Sequence, residues 1–221
     1  MLSALISFLE QSPHIRTCVR KLTLRRRSPI TGALFAQTQS QILSLLSPSC
    51  LPSLRHVALI NILFIRPYPD AQFECTIPEA WLVPPLESLQ IHLDRDRQIW
   101  DVDVLYLLSI FRSVGHLTLT GSPVVTESFV PPKGEVEELP YRFVQPDALT
   151  LPRLSSYAPL LRMFSGTVMK NLNAFTAGLF DMHSLDETER ASLRTILKDV
   201  GRSCGRVNLY YTLLDRNDRC E

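Results

Sequence analysis

One spacing of apolar residues recurs along the chain and constrains its fold more than any other feature. In each copy, two residues separate the first apolar residue from the second, and one residue separates the second from the third. Four copies are clear, Val19/Leu22/Leu24, Leu54/Val57/Leu59, Leu86/Leu89/Ile91 and Val114/Leu117/Leu119, and two are weaker, Leu172/Phe175/Ala177 and Cys204/Val207/Leu209. The alternation that ends each copy is typical of a short β-strand with one buried face. We predict one strand per copy. The residues predicted to face inward are Leu22, Leu24, Val57, Leu59, Leu89, Ile91, Leu117, Leu119, Val207 and Leu209.

The distances between copies predict how the strands are connected. Successive copies start 35, 32, 28, 58 and 32 residues apart. The longest interval has room for a degenerate copy, which we place at residues 151–157, because Leu151-Pro152 resembles the Leu51-Pro52 that precedes the second strand. Such intervals suit helical returns and are too long for hairpins, so they predict parallel strands. The expected fold class is α/β, with a parallel sheet and helical returns.

Helical spacing lies between the predicted strands, where the returns are needed. Two stretches place apolar residues at i, i+3, i+4 and i+7: Leu2/Leu5/Ile6/Leu9 and Leu193/Ile196/Leu197/Val200. Asp186 is placed to cap the second helix, and Gly201 is predicted to end it. Ser40–Leu46 and Val102–Phe111 are also predicted to be helical, the second buried on most of its faces.

Two proline-rich stretches interrupt this pattern. Residues 66–85 and 122–146 each contain five prolines, so we predict that both are surface loops. No low-complexity tract or linker divides the chain. All 221 residues, 1–221, are therefore expected to form a single domain.

Composition and charge restrict the class of protein. The chain is 45% hydrophobic and 20% charged, which excludes a disordered polymer, and no apolar run approaches the ~18 residues of a membrane-spanning helix. Five widely spaced cysteines, an odd number, indicate free thiols in a reducing compartment. We therefore expect a cytoplasmic or nuclear protein with no membrane partner.

The sequence lacks the common motifs for catalysis and for cofactor binding. The eight glycines form neither GxGxxG nor a Walker loop, and GxSxG, HExxH and CxxC are absent. We accordingly assign no catalytic residue, no cofactor and no metal ligand, and predict that the protein is not an enzyme. His56, His92 and His116 fall on three successive strands and are interpreted as solvated strand histidines. A small α/β enzyme with dispersed catalytic residues is the first alternative.

A basic cluster supports the second alternative, a nucleic-acid-binding protein. The net charge is +1, but residues 1–69 hold eight Lys and Arg against one acid, Glu10. Arg25-Arg26-Arg27 forms the densest part of this basic third. No aromatic residues alternate with these arginines as a base-stacking platform requires. This absence argues against nucleic acid as the partner.

The repeated spacing resembles the leucine-rich-repeat superfamily in its long, irregular form. More closely, residues 12–24, 51–59 and 151–157 resemble the repeat region of fungal F-box-like proteins. The resemblance implies an irregular leucine-rich-repeat-like solenoid that acts as a protein-interaction module, like the substrate-recognition region of a ubiquitin ligase. Family members carry an F-box before these repeats. No F-box is recognised here, so adaptor binding is assigned to no residue.

The alternation that defines the core also predicts a partner-binding surface. Residues between the inward positions point to the opposite face of the sheet. The binding candidates on that face are Lys21, Thr23, Arg25, His56, Gln90, His92, His116, Thr118, Arg206, Asn208 and Tyr210. The alternative is binding through the predicted loop at 122–146. The sequence identifies the partner only as a protein, and it leaves the oligomeric state open.

Overall fold

A parallel sheet dominates the structure, a computed structural model. The structure describes residues 2–26, 33–62, 83–94, 98–111, 113–121, 124–126, 146–157, 160–161, 172–179 and 187–210. The strands are β1 (Lys21–Arg25), β2 (His56–Ile60), β3 (Leu86–Leu93), β4 (Gln98–Trp100), β5 (Val114–Gly121), β6 (Val124–Thr126), β7 (Pro146–Leu151), β8 (Ala174–Gly178) and β9 (Arg206–Tyr210). The helices are α1 (Leu2–Gln11), α2 (Pro13–Arg16), α3 (Ala33–Leu46), α4 (Asp101–Ser109) and α5 (Glu187–Ser203).

Seven of these strands pair in the order in which they occur along the chain. The order is β1-β2-β3-β5-β7-β8-β9, and every pairing is parallel. Strands β4 and β6 form a separate two-stranded parallel sheet. Among the described strands, β1 and β9 are the two edges, and the large sheet does not close into a barrel. The predicted α/β class and parallel sheet are confirmed.

A distortion at the starts of β2 and β3 explains why the first two apolar residues of these copies lie three positions apart. At the start of β2, the N–H groups of Arg55 and His56 both donate to the Arg20 carbonyl, at 2.8 and 2.9 Å. At the start of β3, Glu87 and Ser88 likewise share the Arg55 carbonyl, at 2.8 and 3.2 Å. Two residues opposite one acceptor form a local bulge. The extra residue returns the next apolar side chain to the inner face.

The degenerate copy predicted at residues 151–157 is misplaced. Strand β7 instead begins at Pro146 and carries the repeat as Pro146/Leu149/Leu151. Residues Ser155–Tyr157 form a 3₁₀ turn. Proline is acceptable at the first residue of a strand, where its missing N–H removes no ladder bond. Proline at the first repeat position therefore concealed this strand.

The two predicted loops are only partly described. Within 66–85, Val83 is fully buried and bridges to Phe111. Within 122–146, residues 124–126 form β6, and Pro146 opens β7. The remaining described positions, Pro84 and Pro85, lack regular structure. The other residues of both predicted loops lie outside the described part of the chain.

The inner face of the sheet packs in one hydrophobic core with residues from the helices. Its central strands bury Val57, Leu59, Leu89, Ile91, Leu117 and Leu119 to 2% exposure or less. Helices α3, α4 and α5 contribute to the same core Leu45, Leu46, Leu107, Leu193 and Val200. Continuous burial of aliphatic side chains is the dominant stabilising contribution in such a layer.

Among the edge-strand residues predicted to be buried, Leu24 on β1 is in the core, but the other three are not fully buried. Leu22 on β1 is only partly buried, while Val207 and Leu209 on β9 are 38% and 47% exposed. Each central strand is covered by a strand on both sides, whereas no described strand lies beyond β9. The repeat spacing fixes which face a side chain points to, but burial depends on the neighbouring strand.

The predicted helices are present, but two of their details were wrong. Helix α5 continues to Ser203, past the predicted stop at Gly201, because the Cys204 N–H still donates to the Val200 carbonyl, at 2.8 Å. On α1, Leu9 is buried but Leu5 is 38% exposed. The predicted cap of α5, Asp186, lies outside the described residues.

Tyr157 joins the turn after β7 to the end of β5. Its side chain is fully buried, and its hydroxyl donates to the Thr120 carbonyl at 2.6 Å. Burial raises the pKa of this phenol well above its usual value of 10.0, because an ionised phenolate would lose its hydration. A raised pKa in the folded state contributes stability below pH 10.0 that is lost as the pH rises further.

Tyr157→Phe should therefore destabilise the protein near neutral pH but reduce its alkaline sensitivity. We expect a loss of about 1 kcal/mol near neutral pH from the missing hydrogen bond. Urea unfolding of both proteins at neutral pH and at several pH values above 10.0 measures both effects. An equal loss of stability in both proteins at high pH would contradict the role assigned to Tyr157.

Candidate functional site

The residues between the inward positions form the face of the sheet opposite the core, here called the open face. All the predicted binding candidates on β1, β2, β3, β5 and β9 lie on it. Lys21, Thr23, Arg25, Gln90 and His116 are exposed, while His56, His92 and Thr118 are partly buried by their neighbours on the sheet. The side chains of this face that the structure describes are thus accessible across the sheet.

Strand register arranges the open face into rows that run across the sheet. The first row is Lys21, His56, Ser88, His116, Ala148, Ala174 and Arg206. The second row is Thr23, Ala58, Gln90, Thr118, Thr150, Thr176 and Asn208. A third row contains Arg25, Ile60, His92 and Thr120, and Tyr210 lies beside Gly178 at its far end. The rows are polar, with few aliphatic side chains.

Each histidine of the open face contacts a hydroxyl group on the next strand. The distances are 2.9 Å for His56 Nδ1 to Ser88 Oγ, 2.9 Å for His92 Nδ1 to Thr120 Oγ1, and 2.8 Å for His116 Nε2 to Thr150 Oγ1. His56 Nε2 also lies 3.6 Å from Glu87 Oε2. These contacts fix the orientation of the rings, which makes the face a preorganised hydrogen-bonding surface.

A small polar network joins the ends of β2 and β3. The Asp94 N–H donates to Asn61 Oδ1 at 2.9 Å, and the Asn61 amide donates to the Asp94 carboxylate. His92 Nε2 lies 3.0 Å from Asp94 Oδ1. The Asn61 and His92 hydrogen bonds hold the pKa of the Asp94 carboxyl below its usual range. Asn61 has φ 58°, a left-handed conformation that asparagine tolerates better than most residues.

Several residues of the open face were not among the predicted candidates. Thr150 and Thr176 complete the second row, and Thr176 Oγ1 lies 3.4 Å from Asn208 Nδ2. Thr150 was missed because β7 was placed too late. The Pro146/Leu149/Leu151 spacing carries the signal that would have found it.

The structure does not bring the histidines into a metal site. His56 and His116 share a row but are separated by Ser88 on β3, and His92 lies in another row. Within the described part of the chain, no group of three His, Cys, Asp or Glu side chains is arranged to hold a metal ion. Each ring instead contacts a hydroxyl group on the adjacent strand.

A cavity of about 370 Å³ lies near the first helices, and its lining residues do not belong to the open face. Its lining includes Glu10, Arg16, Cys50 and several serines of α3 and the following turn. Arg16 Nε donates to the Cys50 carbonyl at 3.1 Å, and its Nη2 donates to the Ser49 carbonyl. Burial raises the pKa of the Cys50 thiol, and Arg16 offsets this only partly. A protonated thiol is the opposite of an activated nucleophile.

Neither the family models, nor the curated proteins, nor the solved structures that were searched include a match to the chain. Of the helices that the structure describes, none combines the length and hydropathy needed to cross a membrane. The geometry of the sheet is therefore the basis for assigning a function.

Proposed function

We propose that the chain is a leucine-rich-repeat-like solenoid whose open face recognises a protein partner, as the substrate-recognition region of F-box-like proteins does. One observation carries this proposal. Seven parallel strands, paired in chain order, present a continuous polar face that has aligned rows of hydrogen-bonding groups.

The strand order supports the solenoid. Each connection advances by one strand in the same direction across the large sheet, as expected when similar units are stacked in succession. A doubly wound sheet instead reverses direction, and the reversal creates the crevice in which such folds bind nucleotides. The order observed here contains no such reversal among the described strands. An extended face is then the natural binding surface.

The chemistry of the face supports a polypeptide partner. Hydroxyl, imidazole and amide groups alternate in the central rows, and the basic side chains Lys21 and Arg25 lie at the β1 edge. Such groups hydrogen-bond to backbone amides and carboxylates, while the fixed rings lose little conformational entropy on binding. A polypeptide with acidic residues near the β1 edge fits this arrangement.

Removing the central polar groups should abolish partner capture without unfolding the protein. The test variant combines His92→Ala, His116→Ala and Thr118→Ala on β3 and β5. A matched control combines Arg194→Ala, Thr195→Ala and Lys198→Ala, which are exposed positions on α5. The measurement is quantitative affinity capture from the native cells with the unchanged chain, the control variant and the test variant. Proteins that are recovered with both the unchanged chain and the control should be lost with the test variant. We expect at least about a tenfold loss in recovery.

Two outcomes would redirect or remove the proposal. Equal recovery with the test and control variants would mean that the open face does not bind the partner. If recovery then fails after shortening residues 127–145, the predicted loop at 122–146 is the binding segment. Circular dichroism and thermal melting of both variants verify that the fold is unchanged.

A further inference from the structure

Strand β9 leaves apolar side chains exposed at one edge of the large sheet. Val207, Leu209 and Tyr210 are 38%, 47% and 38% exposed, whereas Phe175 and Ala177 on the adjacent β8 are fully buried. Val207 and Leu209 lie on the inner face, beside Phe175 and Ala177 in register. An exposed apolar strand at a sheet edge is a site for pairing with another strand.

The backbone of β9 shows which groups this edge offers. The Arg206 N–H donates to the Asn173 carbonyl at 3.0 Å, and the Tyr210 carbonyl accepts from the Leu179 N–H at 2.9 Å. Backbone groups of successive residues in a strand point to opposite sides. The N–H and C=O groups of Val207 and Leu209 therefore point away from β8. None of the strands that the structure describes pairs with that side.

We propose that this edge binds the β9 strand of a second copy of the chain, antiparallel and about a two-fold axis at Asn208. In this register Val207 lies opposite the partner's Leu209. Each such pair exchanges two N–H to carbonyl hydrogen bonds, as the outward groups of β9 require. Asn208 faces the partner's Asn208 as a non-hydrogen-bonded pair. The pairing uses the whole five-residue strand.

The side chains of β9 are self-complementary in this register. Val207 and Leu209 of both copies meet on the inner face, which extends the apolar layer across the axis. On the open face, Arg206 lies opposite the partner's Tyr210, where a guanidinium and an aromatic ring attract each other. Each interaction occurs twice because the interface is two-fold symmetric. The strand therefore suits a copy of itself.

The other edge of the sheet lacks this property, which favours pairing through β9. On β1, the Arg26 N–H donates to the Ile60 carbonyl and the His56 N–H to the Arg20 carbonyl, so the backbone groups of Lys21, Thr23 and Arg25 point outward. The equivalent two-fold pairing would place Lys21 opposite the partner's Arg25. Like charges opposite each other destabilise a strand pair. Basic side chains of this kind protect a sheet edge from pairing.

This proposal does not depend on protein recognition by the open face. Arg206, Asn208 and Tyr210 of β9 are also candidates for partner binding, so the two proposals are separated by what is measured. The β3 and β5 variants are tested by capture of other proteins and the β9 variants by self-association, and either result can fail without the other. If both proposals hold, the two large sheets of the dimer form one sheet, and the two open faces form one surface about the axis.

Sedimentation velocity of the full chain over a concentration series tests the dimer. We expect reversible monomer–dimer exchange. Asn208→Asp places two carboxylates opposite each other at the axis and should weaken the dimer at least about tenfold. Asn208 is exposed in the monomer, so melting of dilute protein should be unchanged. Thr23→Asp adds the same charge on β1 and should leave the dimer intact.

Cross-linking tests the register itself. Asn208→Cys brings two thiols together at the axis, because the Cβ atoms of such a pair lie about 4.5–5.5 Å apart, close enough for a disulfide after slight adjustment. Arg206→Cys places its two thiols about 14 Å apart in the same dimer, because the two positions are offset by four residues along adjacent strands. Mild oxidation should yield a covalent dimer, above the wild-type background, for Asn208→Cys alone.

Two results would overturn the proposal. One is a wild-type chain that stays monomeric at every concentration, as expected if residues 211–221 or an unrelated protein covered β9. The other is equal cross-linking at positions 206 and 208, which would show that the copies do not meet in this register.

Discussion

Leu119→Asp is expected to abolish the cooperative unfolding of the protein. Leu119 is fully buried at the centre of β5, with Ile91 beside it in register and also fully buried. An unpaired carboxylate at this position loses its hydration and gains no partner, which costs several kcal/mol. Loss of the leucine packing costs about 2–5 kcal/mol more. Together these losses approach the whole stability of a typical domain, about 5–15 kcal/mol.

Thr118→Asp provides the matched control for this change. Thr118 is the preceding residue on the same strand, but it lies on the open face beside Gln90 and Thr150. The same carboxylate there remains hydrated, so we expect a loss below about 1 kcal/mol. Thermal melting and urea unfolding of both variants compare the two faces. If Leu119→Asp melts like the parent protein, the assignment of the inner face is wrong.

Gly121→Ala is expected to cause the second large loss of stability. Gly121 ends β5 with φ 94°, a conformation that side chains other than glycine rarely adopt. A Cβ atom added there would overlap the backbone carbonyl of Leu93, its register partner on β3. Because backbone atoms cannot move aside as a flexible side chain does, the ends of β3 and β5 would have to separate. We expect a loss of about 2–4 kcal/mol.

Gly201→Ala makes the same chemical change where there is space for it. Gly201 lies within α5, and a Cβ atom added there meets no atom within 4 Å. Alanine is the better helix former, so this variant should gain up to about 1 kcal/mol. Urea unfolding of the two glycine variants should therefore show shifts of opposite sign. Equal shifts would contradict the crowding assigned to Gly121.

The sequence predicted the sheet well because alternation is a local property. Side chains two apart share a face wherever the strand lies, so Leu117 and Leu119 could be assigned to the core before their neighbours were known. Strand β7 was misplaced because Pro146 occupies the first apolar position of its copy. Local patterns cannot report on a strand's neighbours, which is why the exposure of Val207 and Leu209 was not predicted.

For the candidate site too, the sequence predicted which face a residue lies on but not which residues it contacts. Alternation placed His92 and His116 on one face, as the structure shows. Their hydroxyl partners Thr120 and Thr150 depend on strand register, which the sequence does not specify. The network of Asn61 and Asp94 joins residues 33 positions apart, and no local spacing relates them. Residues could thus be assigned to a surface, but their contacts required the fold.

The agreement between strand order and chain order has a consequence for how the molecule assembles. Each strand of the large sheet pairs with the strands of that sheet that come just before and just after it along the chain. Adding a strand therefore closes one loop, formed by the segment that connects the two strands, and these loops are similar in length. Loop closure costs grow only slowly with length, and no pairing here must wait for the two ends of the chain to meet. In a partly folded chain that is ordered only as far as β5, this strand already pairs with β3, and its other side is available for β7. Growth can proceed strand by strand from such an edge, and loss of an outer strand leaves the pairing at the centre of the sheet in place.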